Sequence, residues 1–169
     1  MRNITLVGFM GTGKTTVGRI LAKRLGYRFI DVDGEIEREQ GVSISHIFSE
    51  LGETYFRMLE RDFIKALSFR EGLVISAGGG AVIDERNIQS MKLGGVVICL
   101  TASPDVIMKR VGNSSNRPLL KAPDPMSRII ELMGAREQFY RKADFTVDTT
   151  AMTPEDVAEE IIRLTAGKI

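Results

Sequence analysis

Cysteine and histidine occur once each in these 169 residues, and neither sign of charge dominates. One cysteine excludes a disulfide within the chain. Cys99 stands inside the apolar run Val96-Val97-Ile98-Cys99-Leu100 and reads as strand core, not as a reactive thiol. His46 has no serine or cysteine partner signal and reads as a surface helix residue. The 23 Lys and Arg against 22 Asp and Glu leave a net charge of +1. No global field therefore draws in nucleic acid, and any bound anion must be held by local groups. No apolar stretch approaches the roughly 20 residues of a membrane span. Only Ile4 to Val7 follow Met1-Arg2-Asn3 before glycines begin, too little for a signal-peptide core. The expectation is a cytoplasmic protein without membrane or nucleic-acid partners. Internal repeats, low-complexity tracts and linkers are also missing, so residues 1–169 read as a single domain. A domain of this length buries roughly 70% of its unfolded surface, and 43% hydrophobic with 27% charged residues is the composition of a soluble globular protein.

What is present is concentrated in Gly8 to Thr15, G-F-M-G-T-G-K-T, which fits G-x-x-x-x-G-K-[ST] in full. Gly8 and Gly13 let the backbone curl so that successive N–H groups face phosphate oxygens. Lys14 can reach the β- and γ-phosphates, Thr15 offers a hydroxyl to Mg²⁺, and the helix that starts here points its positive end at the same anion. The flanks agree: Ile4, Leu6 and Val7 precede as a buried strand, and Val17, Ile20, Leu21 and Leu25 follow at helical spacing.

Further along, apolar β-rich runs at Ile4–Val7, Arg28–Asp31, Leu73–Ala77, Val96–Leu100 and Phe145–Val147 alternate with helical patterns. That alternation predicts an α/β fold, a parallel sheet covered on both faces. Ser103-Pro104 and Thr153-Pro154-Glu155-Asp156 mark helix starts, each with proline in the first turn. Two segments depart from the plain pattern. About 33–70 holds more helix than a crossover needs and reads as an inserted substrate-binding region. About 112–125 is polar, with three prolines and the basic Arg117 and Lys121, and reads as a mobile lid.

Ligands on such sheets sit at the carboxyl ends of the strands. After the second strand comes Asp31-Val32-Asp33, whose two-residue spacing in extended backbone would turn both carboxylates to one side. Like charges so placed need a cation between them, and Mg²⁺ near Thr15 supplies it. One carboxylate can then hold metal-bound water while the other accepts a proton from a substrate hydroxyl. After the third strand comes Ser76-Ala77-Gly78-Gly79-Gly80. Its glycines let backbone N–H groups approach a small ligand, and Ser76 sits where phosphate-loop proteins place a second metal-side residue.

These elements, with F-R-x-x-E at Phe56, Arg57 and Glu60, R-P-L-L from Arg117, and Arg136 with Tyr140, occur in the order and spacing of shikimate kinase. From residue 4 to about 165 the chain resembles that family. The resemblance implies a three-layer P-loop kinase fold, strand order 2-3-1-4-5. It also implies transfer of the γ-phosphoryl group of ATP to the 3-hydroxyl of shikimate, by a monomer. By position, Asp33, Arg57, Gly79 and Arg136 would bind shikimate, with Asp33 the base. Gly11, Thr12, Gly13, Lys14, Thr15 and Thr16 would bind ATP, Arg110 and Pro154 would lie near the adenine, and Arg117 would close over the phosphates. Lys14, Asp33 and Arg117 would be catalytic, and Thr15, Asp31 and Ser76 would serve Mg²⁺. Two guanidinium forks suit a planar carboxylate, and Glu60, three residues after Arg57, can hold one fork in place. Ala77 and Gln138, the latter where the family has proline, depart from the pattern. A gluconate or nucleoside monophosphate kinase, and a non-catalytic nucleotide-binding regulatory module, are the alternatives; the latter leaves both arginines without a purpose.

Overall fold

The computed structural model describes residues 2–112 and 123–169. The chain runs β1 (Asn3–Val7), α1 (Lys14–Leu25), β2 (Arg28–Asp31), α2 (Val32–Gln40), α3 (Ile44–Leu67), β3 (Leu73–Ser76), a 3₁₀ turn (Ala81–Ile83), α4 (Glu85–Gly94), β4 (Gly95–Thr101), α5 (Pro104–Val111), α6 (Pro125–Tyr140), β5 (Phe145–Asp148) and α7 (Pro154–Thr165). All five strands fall within one residue of the ends expected from sequence, and they pair in parallel in the order β2-β3-β1-β4-β5. The expected segment around 33–70 is helical, as α2 and α3. The lid expected at about 112–125, with Arg117, falls mostly on 113–122, outside the described residues.

The central strands β3, β1 and β4 are buried on both faces, while the edge strands β2 and β5 are partly exposed. On one face Ile4 and Leu6 of β1, Val96, Ile98 and Leu100 of β4 and Val147 of β5 pack under α1 and α7. On the other, Val7, Ile75, Val97 and Cys99 pack against α2 to α6. Within this core the Cys99 thiol is pushed up to about 11 by burial, which keeps it inert. His46 lies exposed on α3.

The helix starts obey local chemistry. The Ser103 hydroxyl accepts from the Val106 N–H, with Pro104 at the first helical position. Thr153 and Asp156 form a reciprocal capping box, and behind it Val157 and Ile161 are buried. Within α3, Gly52 breaks the helical dihedrals at φ 82°, ψ 162°, which kinks that long helix.

Strand register assembles the site. β1 is central, and the chain winds from it in both directions, so its carboxyl end is the topological switch point. Leu6 and Asp31 both lie in register with Ser76. That sets Asp31, Ser76 and the start of the glycine loop side by side. The loop leaves β1 at Gly8, where φ is +138° and an added Cβ would stand 2.2 Å from the Leu100 carbonyl oxygen. No other residue fits there.

Candidate active site

A cleft of about 1210 Å³ opens across the carboxyl ends of the strands. Gly11, Thr12, Gly13, Lys14, Thr15 and Thr16 line its floor, with Arg110, Thr149, Met152 and Pro154 at one end and Asp31, Asp33, Ser76, Gly79 and Arg136 toward the other.

The nucleotide half is tied together by backbone carbonyls. Arg110 donates from Nη1 to the Gly11 carbonyl (3.2 Å) and to Thr149 Oγ1 (3.0 Å), and from Nη2 to the Thr149 carbonyl (2.9 Å). Thr149 Oγ1 in turn shares its proton between the carbonyls of Thr101 (3.0 Å) and Thr12 (3.2 Å). The residue after β5 thus clasps the loop after β1. Lys14 Nζ donates to the carbonyls of Gly8 (2.8 Å) and Phe9 (3.0 Å), so its ammonium hangs over its own loop.

Thr15 Oγ1 donates to Asp31 Oδ2 at 3.0 Å, while Asp31 Oδ1 caps α2 through the Gly34 N–H. No set of three His, Cys, Asp or Glu side chains that could cage a metal occurs among the described residues. A hydroxyl and a carboxylate, with Ser76 in register beside Asp31, are hard oxygen donors that fit a small divalent cation keeping most of its waters.

The acceptor half is built on buried charge. Arg57, on α3, donates from Nη1 to Glu60 Oε2 at 2.7 Å and from Nη2 to Glu53 Oε1 at 3.2 Å. Its guanidinium lies against Gly80, where an added Cβ would stand 2.5 Å from Nη2. Glu60 is 0% exposed, and burial, opposed by Arg57, pushes its carboxyl up to about 7. Asp33, in the first turn of α2, is raised from the ordinary range by burial and then by Asp31, against the pull of Lys14 and Arg57. Arg136 of α6 stacks over the Phe9 ring, 5.7 Å from its centroid, with its charge beside the Tyr140 hydroxyl. The Tyr140 hydroxyl donates to the Gly79 carbonyl at 2.7 Å, and burial pushes that phenol up to about 12, so it stays a neutral donor. Phe48 stacks obliquely on Phe56, with centroids 5.1 Å apart, and closes the cleft from α3.

Thirteen of the residues singled out from the sequence thus line one cleft. Arg57 does not line it but lies against Gly80 at its edge, and Arg117 is outside the described residues. Sequence reasoning missed Thr149, although its place just after β5 satisfies the strand-end rule, and Phe48, for which no signal existed.

The sequence model of one family, shikimate kinase, matches residues 10–166. The chain belongs to the shikimate kinase family. A shikimate kinase of Thermodesulfovibrio yellowstonii is 49% identical over 172 residues, covering 99% of each chain. The solved structure of a shikimate kinase from Acinetobacter baumannii, in complex with shikimate, matches with a TM-score of 0.92 at 39% identity, over 98% of this chain and 93% of that one. A gluconokinase from Sinorhizobium meliloti matches at a TM-score of 0.58 and 17% identity, over 98% of this chain and 91% of that one, which shows a shared fold alone. The departures from the family pattern are accommodated locally. With glutamine at 138, α6 runs on to Tyr140, and Ala77 is buried with its N–H bonded to the Leu6 carbonyl at 3.0 Å.

Proposed function

We propose that the cleft transfers the γ-phosphoryl group of ATP to the 3-hydroxyl of shikimate, giving shikimate 3-phosphate and ADP. The observation that carries this reading is the acceptor half: a carboxylate, Asp33, stands across from the phosphate loop, and two arginines flank the Gly78-Gly79-Gly80 backbone. A small carboxylic acid with ring hydroxyls matches that set.

The loop from Gly11 to Thr16 cradles the phosphates with backbone N–H groups at the start of α1. Lys14, released from the Gly8 and Phe9 carbonyls, takes phosphate oxygens as its new acceptors. Arg110 and Pro154 bound the adenine end. Arg136, steadied on Phe9 and Tyr140, and Arg57, steadied by Glu60 and Glu53, take the substrate carboxylate, with the Gly79 backbone between them. Asp33 orients the 3-hydroxyl and accepts its proton as the oxygen bonds to phosphorus. Thr15, Asp31 and Ser76 would hold Mg²⁺, which neutralises charge on the bridging phosphate oxygens. Arg117, from its motif, approaches the transferring group and stabilises the charge that builds on its oxygens. Every group comes from one chain, which supports a monomer as the working unit. No helix among the described residues is long and apolar enough to cross a membrane.

A coupled ADP-release assay with shikimate, gluconate, AMP and no acceptor tests the reading. Shikimate alone should stimulate release, and excess EDTA should abolish it. Equal stimulation by gluconate would overturn the acceptor assignment, and acceptor-independent turnover would favour a nucleotide-hydrolysing module.

A further inference from the structure

Thr149 is 2% exposed, and its hydroxyl meets the loop after β1, the end of β4 and a side chain of α5. Its backbone is anchored without that hydroxyl: the Thr149 N–H donates to the Thr101 carbonyl at 2.8 Å, and the Thr149 carbonyl accepts from Arg110 Nη2 at 2.9 Å. The hydroxyl oxygen accepts from Arg110 Nη1 at 3.0 Å, which leaves its single proton for the carbonyls of Thr101, at 3.0 Å, and Thr12, at 3.2 Å. The Thr101 carbonyl already has the Thr149 N–H. Among the described residues the Thr12 carbonyl has no donor but this hydroxyl.

Peptide geometry turns that contact into a direction. A trans peptide unit is planar, and its C=O and N–H point to opposite sides. Thr12 is held at both ends: its N–H and its hydroxyl reach back to the Phe9 carbonyl, at 3.4 and 2.7 Å, and its own carbonyl is held by Thr149. The N–H that shares a peptide unit with the Thr12 carbonyl belongs to Gly13, the cap residue just before α1. That N–H therefore points away from the Thr149 hydroxyl, on a residue that lines the cleft, and no acceptor among the described residues takes it. The Arg110 guanidinium on the hydroxyl oxygen polarises the bond that the hydroxyl donates.

We propose that Thr149 is a positioning residue for the phosphates: by holding the Thr12 carbonyl it aims the Gly13 N–H into the cleft before a nucleotide arrives. The inference rests on Gly11 to Thr16 as the phosphate-binding loop of the proposed function. Without the hydroxyl, the carbonyl of Thr12, a residue only 1% exposed, is enclosed with no donor. The peptide unit then turns to find one, and the direction of the Gly13 N–H is lost with it.

Thr149→Val tests the inference, because valine keeps the shape and removes only the hydroxyl, while Thr149→Ser keeps the hydroxyl and removes the methyl group. Affinities for ATP and for inorganic tripolyphosphate, which has no base, are measured by calorimetry with Mg²⁺, with circular dichroism to establish folding. In Thr149→Val both affinities should weaken by the same factor, roughly 5- to 50-fold, while Thr149→Ser stays within about threefold of the wild type. A loss for ATP with tripolyphosphate unchanged would overturn the inference, since the residue would then act through the adenine end. So would unchanged affinity for both, or an equal loss in Thr149→Ser, which would assign the effect to packing of the methyl group. One measurement needs no variant: the Gly13 amide proton of the wild-type chain should move downfield in the NMR spectrum when tripolyphosphate is added, and an amide that does not shift while the anion binds would overturn the inference. Wild-type binding of ATP but not of tripolyphosphate would overturn it too, because an N–H aimed in advance holds the bare anion. Failure of the wild type to bind either would instead strike the phosphate-loop reading itself, and the inference with it.

Discussion

Replacing Gly80 by alanine tests whether Arg57 belongs to the acceptor site without touching either arginine. The added Cβ would stand 2.5 Å from Arg57 Nη2, closer than non-bonded atoms approach, and 3.0 Å from both Cζ and Nη1, at the tight end of such contacts. The guanidinium cannot simply retreat, because Nη1 is held by Glu60 at 2.7 Å and Nη2 by Glu53 at 3.2 Å. Moving it breaks or lengthens the bond to a fully buried carboxylate. A hydrogen bond to a charged group contributes roughly 1.5–3 kcal/mol, and the same amount is at stake between a displaced fork and a substrate carboxylate. At about 1.4 kcal/mol per factor of ten, the KM for shikimate should rise roughly 10- to 150-fold. The nucleotide half is untouched, so the KM for ATP should stay within about twofold. Initial rates with each substrate varied at saturation of the other separate the two effects, and thermal unfolding checks that the variant folds. A folded Gly80→Ala chain with an unchanged KM for shikimate would refute the reasoning.

Asp33→Asn keeps the shape of the side chain and removes the base; kcat should fall roughly 10²- to 10⁴-fold while ATP affinity, read by fluorescence or calorimetry, is retained. Arg117→Ala should lower kcat by up to about 10³-fold, well beyond its effect on nucleotide binding, and Arg117→Lys should restore only part of that; a rise in the KM for ATP alone would reduce the residue to uniform binding. Glu60 carries a stability signature as well. Its folded carboxyl lies near 7 against an ordinary 4.5, so the folded state holds the proton more tightly than the unfolded chain. Its contribution is therefore most favourable below about 4.5, declines by roughly 3 kcal/mol as pH rises to 7, and is flat above. Denaturant titrations at several pH values should show that decline in the wild type relative to Glu60→Gln, and no difference in slope would contradict it.

The fold was legible because its signals are local. The central strands are short runs rich in apolar residues, and Ser103-Pro104 and Thr153-Pro154 punctuate the helices that follow β4 and β5. The nucleotide half was legible for the same reason: Gly11 to Thr16 is one contiguous stretch whose backbone geometry carries its chemistry. Asp31 and Ser76 could be placed together only through the strand-end rule, and the register of β2 on β3 puts them there. What could not be read was burial. Glu60 looks in sequence like an i,i+3 partner on a helix surface, yet it is fully enclosed, and that enclosure, more than its acidic neighbours Asp33 and Asp84, raises its carboxyl. Thr149 looks like one of two threonines in a polar turn, yet its hydroxyl joins the loop after β1 to the end of β4. Such roles depend on contacts separated by dozens of residues, which periodicity does not encode.

The two halves of the cleft are stabilised by different physics, and that difference decides where specificity resides. On the proposed function, phosphates would be received by backbone N–H groups whose direction is set by glycine dihedrals and by the carbonyl clasp through Arg110 and Thr149. Such groups recognise a polyphosphate and little else about the ligand. The acceptor side is held by side chains from α3 and α6: Glu60 fixes Arg57, and Tyr140 fixes Gly79 beside Arg136. Because Glu60 is buried, shifting Arg57 leaves Glu60 Oε2 without its partner. An acceptor that supplies a carboxylate and a hydroxyl at the right separation leaves the set undisturbed. One that lacks either group forces it to rearrange, and buried polar groups left unpaired discriminate far more strongly than a missing methylene would. A gluconokinase shares this fold, so on the proposed function the choice of acceptor would follow from the enclosed charges between α2, α3 and α6 and not from the fold.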